Sequence, residues 1–154
     1  MTGVQTCALP IYHKQMDNAL TDHQGALAAG STKRGIAPVY ADKMFRHGIR
    51  MVDITEPDIF KEKLHKSYNF NKKLLSAISD QIIQPDEKSI YEKYLQYGKK
   101  LAPYIKDISL ELYEAQRNGK AILFEGAQGI SLDIDHGIYP YTTSSNSIAG
   151  NIAT

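Results

Sequence analysis

The sequence predicts an α/β domain that is mostly helical and adds a few strands of a larger sheet. Apolar residues recur at helical spacing from His13 to Asn118. A short unbroken apolar run, Ala121–Phe124, follows them and is typical of a strand buried on both faces of a parallel sheet. Glycines and hydroxyl side chains come next, as in loops at the carboxyl edge of such a sheet. A parallel sheet needs more strands than this, so the pattern predicts an incomplete domain.

Length, composition and charge limit the class of protein. A chain of 154 residues with 42% hydrophobic and 23% charged residues fits one globular domain. The net charge of +1 gives no basic field that would attract nucleic acid. No apolar stretch approaches the roughly 20 residues that cross a bilayer, so no membrane partner is expected. The single cysteine, Cys7, excludes an internal disulfide and suits a reducing compartment.

The first predicted elements are two helices separated by a loop. Residues 13–28 carry apolar side chains on one side of a helix, and glycines bound the loop 30–35. Pro38 can start a short helix over 39–47, because its missing N–H costs nothing at the first helical position. Gly48 is a natural residue to end that helix.

The middle of the chain predicts one short strand and more helices. They are a strand over 49–54, a helix from Pro57, a further helix through Phe70–Ile82, another over 85–101 and a last one over 107–118. Pro103 should break or kink the helical pattern, since proline removes a hydrogen-bond donor and clashes with the preceding turn. Gly119 is expected to end the last helix.

The turn after the apolar run carries a candidate ligand contact. Gly126 and Gly129 let the backbone approach a ligand closely. Gln128 supplies an amide that both donates and accepts, as the reading of a base or carbonyl edge requires. A strand-to-loop turn with Gln128 in solvent explains the same residues equally well.

Two further stretches are candidates for phosphate contact. The run "YTTSSN", 141–146, offers four hydroxyls before a possible helix start, and capping explains only one of them well. Lys43 and Arg46 are three apart on the predicted short helix and therefore share a face. Beside Thr32 they could neutralise phosphates, with arginine giving the bidentate contact. The alternative for the pair is an exposed basic helix.

Several ionisable residues are expected to be scaffold. Asp133, Asp135 and His136 resemble metal ligands in type, but alternation separates the histidine from the two acids. Carboxylates bonded to loop backbone N–H groups are the favoured interpretation. Four isolated histidines show no partner spacing and are expected at the surface or at caps: His13, His23, His47 and His65.

Two long stretches resemble the adenylosuccinate synthetases. They are "GSTKRGIAPVYADKMFRHGIRMVDI", 30–54, and "LFEGAQGISLDIDHGIYPYTTSSNSIAG", 123–150. Both occur in order, with a helical insert of suitable length between them. The resemblance covers 13–154 and implies a fold related in shape to P-loop GTPases, here as mostly helices plus a few strands of the central sheet.

The resemblance implies an activity and its partners. Members of that family join IMP and L-aspartate, with GTP as co-substrate, and release adenylosuccinate, GDP and phosphate in AMP biosynthesis. Mg²⁺ supports the phosphoryl transfer by neutralising developing charge. The family resemblance also implies a cytoplasmic homodimer that binds neither nucleic acid nor membrane.

Matched motif by motif, the resemblance assigns five residues. Lys43 takes the place of the active-site lysine, and Thr32 and Thr143 contact the phosphate of IMP. Arg46 reaches IMP in the partner subunit's site, so dimerisation completes each site. Gln128 binds IMP as well.

The sequence also departs from the family pattern. The glycine-rich "GDEGKGK" loop is absent, and with it the catalytic aspartate, the histidine acid and the magnesium ligands. The region that binds guanine and the aspartate loop are absent too. We therefore expect an internal fragment that is inactive alone, with no metal ligands of its own. Residues 1–12 match nothing in the family and are expected to be an artefactual leader before a partial domain, 13–154. A non-catalytic nucleotide-binding or interaction module is the alternative.

Overall fold

The computed structural model describes residues 12–153. Five α-helices order this part of the chain: α1 Tyr12–Gln24, α2 Ile36–Met44, α3 Pro57–Ile78, α4 Glu87–Leu101 and α5 Ile108–Arg117. Short 3₁₀ turns lie at Gly25–Leu27, Asp53–Thr55, Ala102–Tyr104, Ile130–Leu132 and Ala149–Ala153. The predicted leader lies outside the described residues apart from Tyr12, which begins α1. No described helix combines the length and apolarity needed to cross a membrane.

The hydrophobic core lies among the first four helices. Helix α1 packs on α2 and α3, and α4 packs on α3 and on the 3₁₀ turn 53–55. The buried apolar side chains are Tyr12, Met16, Ala19, Ile49, Ile54, Phe60, Leu64, Tyr68, Leu75, Ile83 and Ile90. Burial of each large member contributes about 1.5–3 kcal/mol, which makes this cluster the main stabilising element of the region 12–104, here called the helical body.

Helix α3 joins two stretches that the sequence analysis separated. Pro57 occupies its first turn, and no glycine or proline interrupts the residues after it. Phe60, Leu64 and Leu75 lie on one buried stripe at helical spacing. The helix ends at Ile78, because Ser79 turns to an extended conformation, so the predicted extension to 82 is wrong.

Helix α2 begins and ends earlier than predicted. Its N-cap is Gly35, with φ +82°, and a Cβ there would come within 2.8 Å of the His13 backbone. This close approach lets the helix begin at Ile36, so Pro38 lies inside the first turn rather than opening it. At the other end Arg46 adopts φ +68° and ends the helix before Gly48 is reached.

Glycine is also required where α4 meets the 3₁₀ turn 53–55. A Cβ at Gly98 would lie 2.0 Å from the carbonyl oxygen of Ile54, which is far inside any contact distance. Gly98 is buried in the helix interior, where glycine is otherwise unfavourable. The close approach of the two backbones explains the residue.

The predicted strand over 49–54 is wrong: Arg50 alone forms a β-bridge, and residues 51–55 form turns. The Asp53 carboxylate accepts from the Arg50 backbone N–H at 2.7 Å, and the Asp53 N–H donates to the Arg50 carbonyl at 2.9 Å. These two bonds close a turn, and a 3₁₀ turn follows it. Lys63 of α3 completes the set with an ion pair to the same carboxylate at 2.7 Å. Local side-chain hydrogen bonding thus overrides the alternating pattern.

The predicted sheet is not formed by the residues that the structure describes. Residues 121–124 contain no β-strand, and Leu123 is 91% exposed. A strand requires a neighbour to satisfy its backbone groups, and no described segment pairs with this one. After Gly98, Asp133 is the only described residue that is buried. Residues 120–153, here called the C-terminal segment, therefore fold by turns rather than around an apolar core.

Candidate functional site

The predicted phosphate contacts near α2 lie at its two ends. Thr32 is exposed in the loop before the helix, and Lys43 is exposed in its last turn. The Lys43 ammonium lies 5.7 Å from the ring centre of Tyr40. Arg46 follows the helix instead of lying on it, because α2 ends at Met44. The prediction that both cations share a helix face is therefore corrected: Arg46 belongs to the turn that caps the helix.

That turn is closed by three backbone hydrogen bonds. The Arg46 N–H donates to the Lys43 carbonyl at 3.1 Å. The N–H groups of His47 and Gly48 both donate to the Asp42 carbonyl, each at 3.1 Å. With φ +68°, Arg46 occupies the left-handed region that costs a non-glycine residue about 1–2 kcal/mol. The turn thus presents a basic side chain from a strained backbone position.

A buried polar cluster supports the turn from inside. The Asp42 Oδ2 lies 3.0 Å from His13 Nε2 and 3.0 Å from Asn71 Nδ2, while Oδ1 lies 3.1 Å from His47 Nε2. Ser67 Oγ adds a weaker bond to Oδ2 at 3.3 Å. A carboxylate only accepts hydrogen bonds, so both histidines present their Nε2–H to it.

The charge of Asp42 is stabilised by these neighbours. Burial by itself raises the pKa of this carboxyl. Hydrogen bonds from His13 and His47, and their charges when protonated, lower it more strongly. The pKa of Asp42 therefore lies below its ordinary value, and the group is ionised at neutral pH.

Asp17 of α1 holds the loop that carries Thr32. Its Oδ1 accepts from Ser31 Oγ at 2.7 Å, and its Oδ2 accepts from the Gly35 N–H at 2.8 Å. Lys33, next to Thr32, adopts φ +56° and donates its N–H to Ser31 Oγ at 3.0 Å. One buried carboxylate thus fixes both ends of the loop.

The contribution of α1 to the site was not predicted from the sequence. His13 is 3% exposed and pairs with Asp42, so its expected surface position is wrong. His47 is half-buried and pairs with the same group, whereas His65 is exposed and lies 3.1 Å from Glu87. The spacing of His13 and Asp17, four residues apart on one helix face, was the available signal. Their partners lie too far along the chain for spacing to reveal them.

Gln128 and Thr143 belong to the C-terminal segment. Gln128 is exposed and adopts φ +64° between Gly126 and Gly129. The Thr143 N–H donates to the Leu132 carbonyl at 2.8 Å, which ties the hydroxyl run to the 3₁₀ turn after Gly129.

Asp133 organises this segment. Its carboxylate accepts from four backbone N–H groups at 2.6–3.1 Å, those of Asp135, His136, Ser147 and Ile148. Burial raises its pKa, but these N–H donors lower it further, to well below its ordinary range. Asp133 is thus a scaffold residue, as the sequence analysis favoured. Among residues 12–153 no three His, Cys, Asp or Glu side chains are grouped to hold a metal ion.

The five assigned residues fall into two sets. Thr32, Lys43 and Arg46 lie on the loop and helix that α1 supports, and Gln128 and Thr143 lie in the C-terminal segment. Among the described residues, no hydrogen bond or ion pair joins Thr32, Lys43 or Arg46 to Gln128 or Thr143. An open depression of about 500 Å³ between α5 and residues 120–124 contains none of the five; it is lined by Ser109, Leu112, Tyr113, Gln116, Lys120, Ile122 and Phe124.

Comparison with known proteins gives one consistent family. The family model described as adenylosuccinate synthetase matches residues 5–154. The adenylosuccinate synthetase of Clostridium kluyveri is 45% identical over 92% of this chain and 33% of its own length. That of Crocosphaera subtropica is 48% identical over 90% of this chain and 31% of its own length.

A solved structure agrees with the sequence relatives. The fully ligated adenylosuccinate synthetase from Plasmodium falciparum matches with a TM-score of 0.82 and 30% identity. The match covers 92% of this chain and 32% of that structure. The chain thus spans about a third of the length of the relatives that it matches.

Proposed function

The chain belongs to the adenylosuccinate synthetase family, and we propose that it supplies the IMP-binding surface for the GTP-dependent joining of IMP and L-aspartate. In that reaction GTP phosphorylates the 6-oxygen of IMP, and the amino group of aspartate then displaces the phosphate. The proposal includes a cytoplasmic homodimer in which Arg46 reaches the partner's site. Mg²⁺ and GTP complete the reaction, but the described residues offer no grouped ligands for the ion.

The main support for this proposal is the backbone conformation of three non-glycine residues. Lys33, Arg46 and Gln128 are the described non-glycine residues with positive φ, at 56°, 68° and 64°. All three lie within the two motifs, and two of them are assigned contacts of IMP. Strained backbone positions persist where the surrounding structure holds them, and they concentrate at ligand sites. Three such residues confined to these motifs favour a binding function over a solvated loop.

The charges of the α2 region fit a phosphate. Among the described residues, neither Lys43 nor Arg46 forms an ion pair with a carboxylate, and both side chains are exposed. Both cations are therefore available to an anion. We propose that Arg46 binds the phosphate of IMP in the partner's site through two N–H groups, and that the Thr32 and Thr143 hydroxyls are donors to the phosphate of IMP in their own subunit's site. The carboxamide of Gln128 faces the hypoxanthine edge, and Lys43 is the active-site lysine.

The test is IMP binding and turnover by a full-length synthetase that contains this segment. Arg46→Ala should raise the KM for IMP by about 10- to 100-fold, because a charge-assisted hydrogen bond contributes about 1.5–3 kcal/mol. Arg117→Ala is the matched control, since it removes the same charge from exposed α5. An unchanged KM for IMP in Arg46→Ala would contradict the assignment.

A second measurement separates synthetase from binding module. Gln128→Ala should also raise the KM for IMP, with little change in the KM for GTP. Adenylosuccinate formation is then followed in the same preparation. Tight IMP binding without any product from a full-length protein carrying this segment would support the non-catalytic module instead.

A further inference from the structure

The turn that ends α2 has the backbone geometry of a Schellman motif, but the position that is usually glycine holds Arg46. Its two defining bonds run from the N–H of Arg46 to the Lys43 carbonyl and from the N–H of His47 to the Asp42 carbonyl, both at 3.1 Å. Arg46 therefore holds the left-handed position, which is usually glycine because a Cβ is costly there. Arginine at this position needs compensation from its surroundings.

The compensation comes from the two residues that flank the motif. In such caps the residue after the left-handed position commonly makes an apolar contact with the helix residue three places before the cap. Here those residues are His47 and Asp42, and their contact is polar, with Nε2 of the ring 3.1 Å from Oδ1. The backbone N–H of His47 also donates to the Asp42 carbonyl, so a backbone and a side-chain hydrogen bond both join these two residues.

The two partners of this contact are themselves held in place. The His47 ring stacks near Phe45, with centroids 5.8 Å apart, and lies 4.7 Å from Phe70 of α3. Asp42 is fixed from the opposite side by His13 of α1 and Asn71 of α3. The position of Arg46 is thus linked through His47 and Asp42 to two other helices.

We propose that the hydrogen bond from His47 to Asp42, here called the His47–Asp42 clip, holds Arg46 in its left-handed conformation and thereby aims its guanidinium at phosphate. His47 is a positioning residue, since it acts through Arg46. This inference rests on the proposed function, because it gives Arg46 a ligand. It adds that arginine is tolerated at the left-handed position 46 only while the hydrogen bond of the His47–Asp42 clip is formed.

A pair of substitutions at His47 separates the hydrogen bond from the ring. His47→Phe keeps a ring beside Phe45 and Phe70 but loses the donor. His47→Gln loses the ring but keeps an N–H donor for Asp42. In the full-length synthetase we expect His47→Phe to raise the KM for IMP by about tenfold, the range of coupling between contacting residues, and His47→Gln to recover most of that loss. His65→Phe, an exposed histidine on α3, is the control and should leave the KM unchanged.

A double-substitution cycle tests whether His47 acts through Arg46. If it does, Arg46→Ala combined with His47→Phe should bind IMP no more weakly than Arg46→Ala alone. Fully additive losses would overturn the inference. A wild-type KM in His47→Phe, together with a raised KM in Arg46→Ala, would overturn it too while leaving the proposed function standing.

A backbone measurement decides the inference without IMP. The intraresidue NOE between the amide and α protons of Arg46 is strong only when φ is left-handed, and it should weaken in His47→Phe but not in His47→Gln. If Arg46 stays left-handed in His47→Phe, the clip is not what holds it. If the conformation changes while Arg46→Ala leaves IMP binding intact, the clip stands and the assignment of Arg46 to IMP fails.

Discussion

Asp42 of the helical body and Asp133 of the C-terminal segment are both buried, but their carboxylates are held in opposite ways. Asp42 is surrounded by side chains from α1, from α3 and from the turn after α2, which lie up to 29 residues from it in the chain. Asp133 is surrounded by backbone N–H groups from within 15 residues of itself. The first carboxylate depends on how helices pack together, and the second depends only on the path of its own loop.

The difference shows how two kinds of site are built. The helical body has an apolar core, so it can carry a polar cluster made of distant residues. The C-terminal segment has no apolar core among its described residues, so one ionised side chain takes over the organising role. Backbone donors suit that role because they need no further packing to be positioned.

The largest expected effect follows from replacing Asp133. Asp133→Asn removes the negative charge and replaces one accepting oxygen with an NH₂ group, which cannot accept from the surrounding backbone N–H groups. The turns between Gly129 and Ile148 should therefore lose their order. Amide hydrogen exchange should show lost protection there and unchanged protection in the helical body. Glu125→Gln is the control, because that carboxylate is exposed in the same segment and forms no hydrogen bond or ion pair with a described residue. Equal loss of protection in both regions would contradict the independence of the two sites.

A smaller but more widespread effect is expected at Asp42. Asp42→Ala leaves His13, Asn71 and His47 without their shared acceptor, and breaking a buried pair of this kind costs about 3 kcal/mol. Urea denaturation of the helical body should show the loss. Asp80→Ala, at an exposed loop position, should change stability by less than about 0.5 kcal/mol. If the two variants unfold at the same urea concentration, Asp42 is not a structural centre.

The smallest effect is a difference in acid titration. Both carboxyls have a folded pKa below the ordinary 3.8, so the native state binds fewer protons than the unfolded chain as the pH falls below that value. Each therefore contributes stability that is complete above about 3.8 and is lost as the pH falls through its folded pKa.

The order of protonation distinguishes the two. The pKa of Asp133 is displaced much further, so its carboxyl should still be ionised after that of Asp42 has been protonated. Carboxyl carbon shifts measured by NMR between pH 4 and strong acid would show the order. Protonation of Asp133 first would mean that four backbone donors stabilise a charge less than two histidines do.

The parts of this fold that the sequence predicts well are those with local signals. Helices α4 and α5 start where expected, because Asp86 and Asp107 accept hydrogen bonds from backbone N–H groups three residues on. The strand predicted over 49–54 failed, since the Asp53 carboxylate closes a turn that alternation cannot reveal. The strand predicted over 121–124 requires a neighbour that the described residues do not provide.

The sequence motifs predict which residues form the candidate site, but they do not predict its geometry. Motifs point to Lys43, Arg46 and Gln128 as contacts. The three-residue spacing predicted that Arg46 shares a helix face with Lys43. The helix ends at Met44, however, and Arg46 lies in the left-handed cap that follows it. The four-residue spacing of His13 and Asp17 places them on one helix face, but the sequence does not reveal their partners, which lie 14 to 29 positions away.

The contact at Gly98 restricts which related sequences can share this arrangement. A methyl group there would collide with the Ile54 carbonyl, and backbone, unlike a side-chain end, cannot swing aside. A variant with alanine at this position must therefore move α4 away from the turn 53–55 and loosen the apolar contacts on both sides. The identity of residue 98 therefore indicates how closely α4 approaches the turn 53–55.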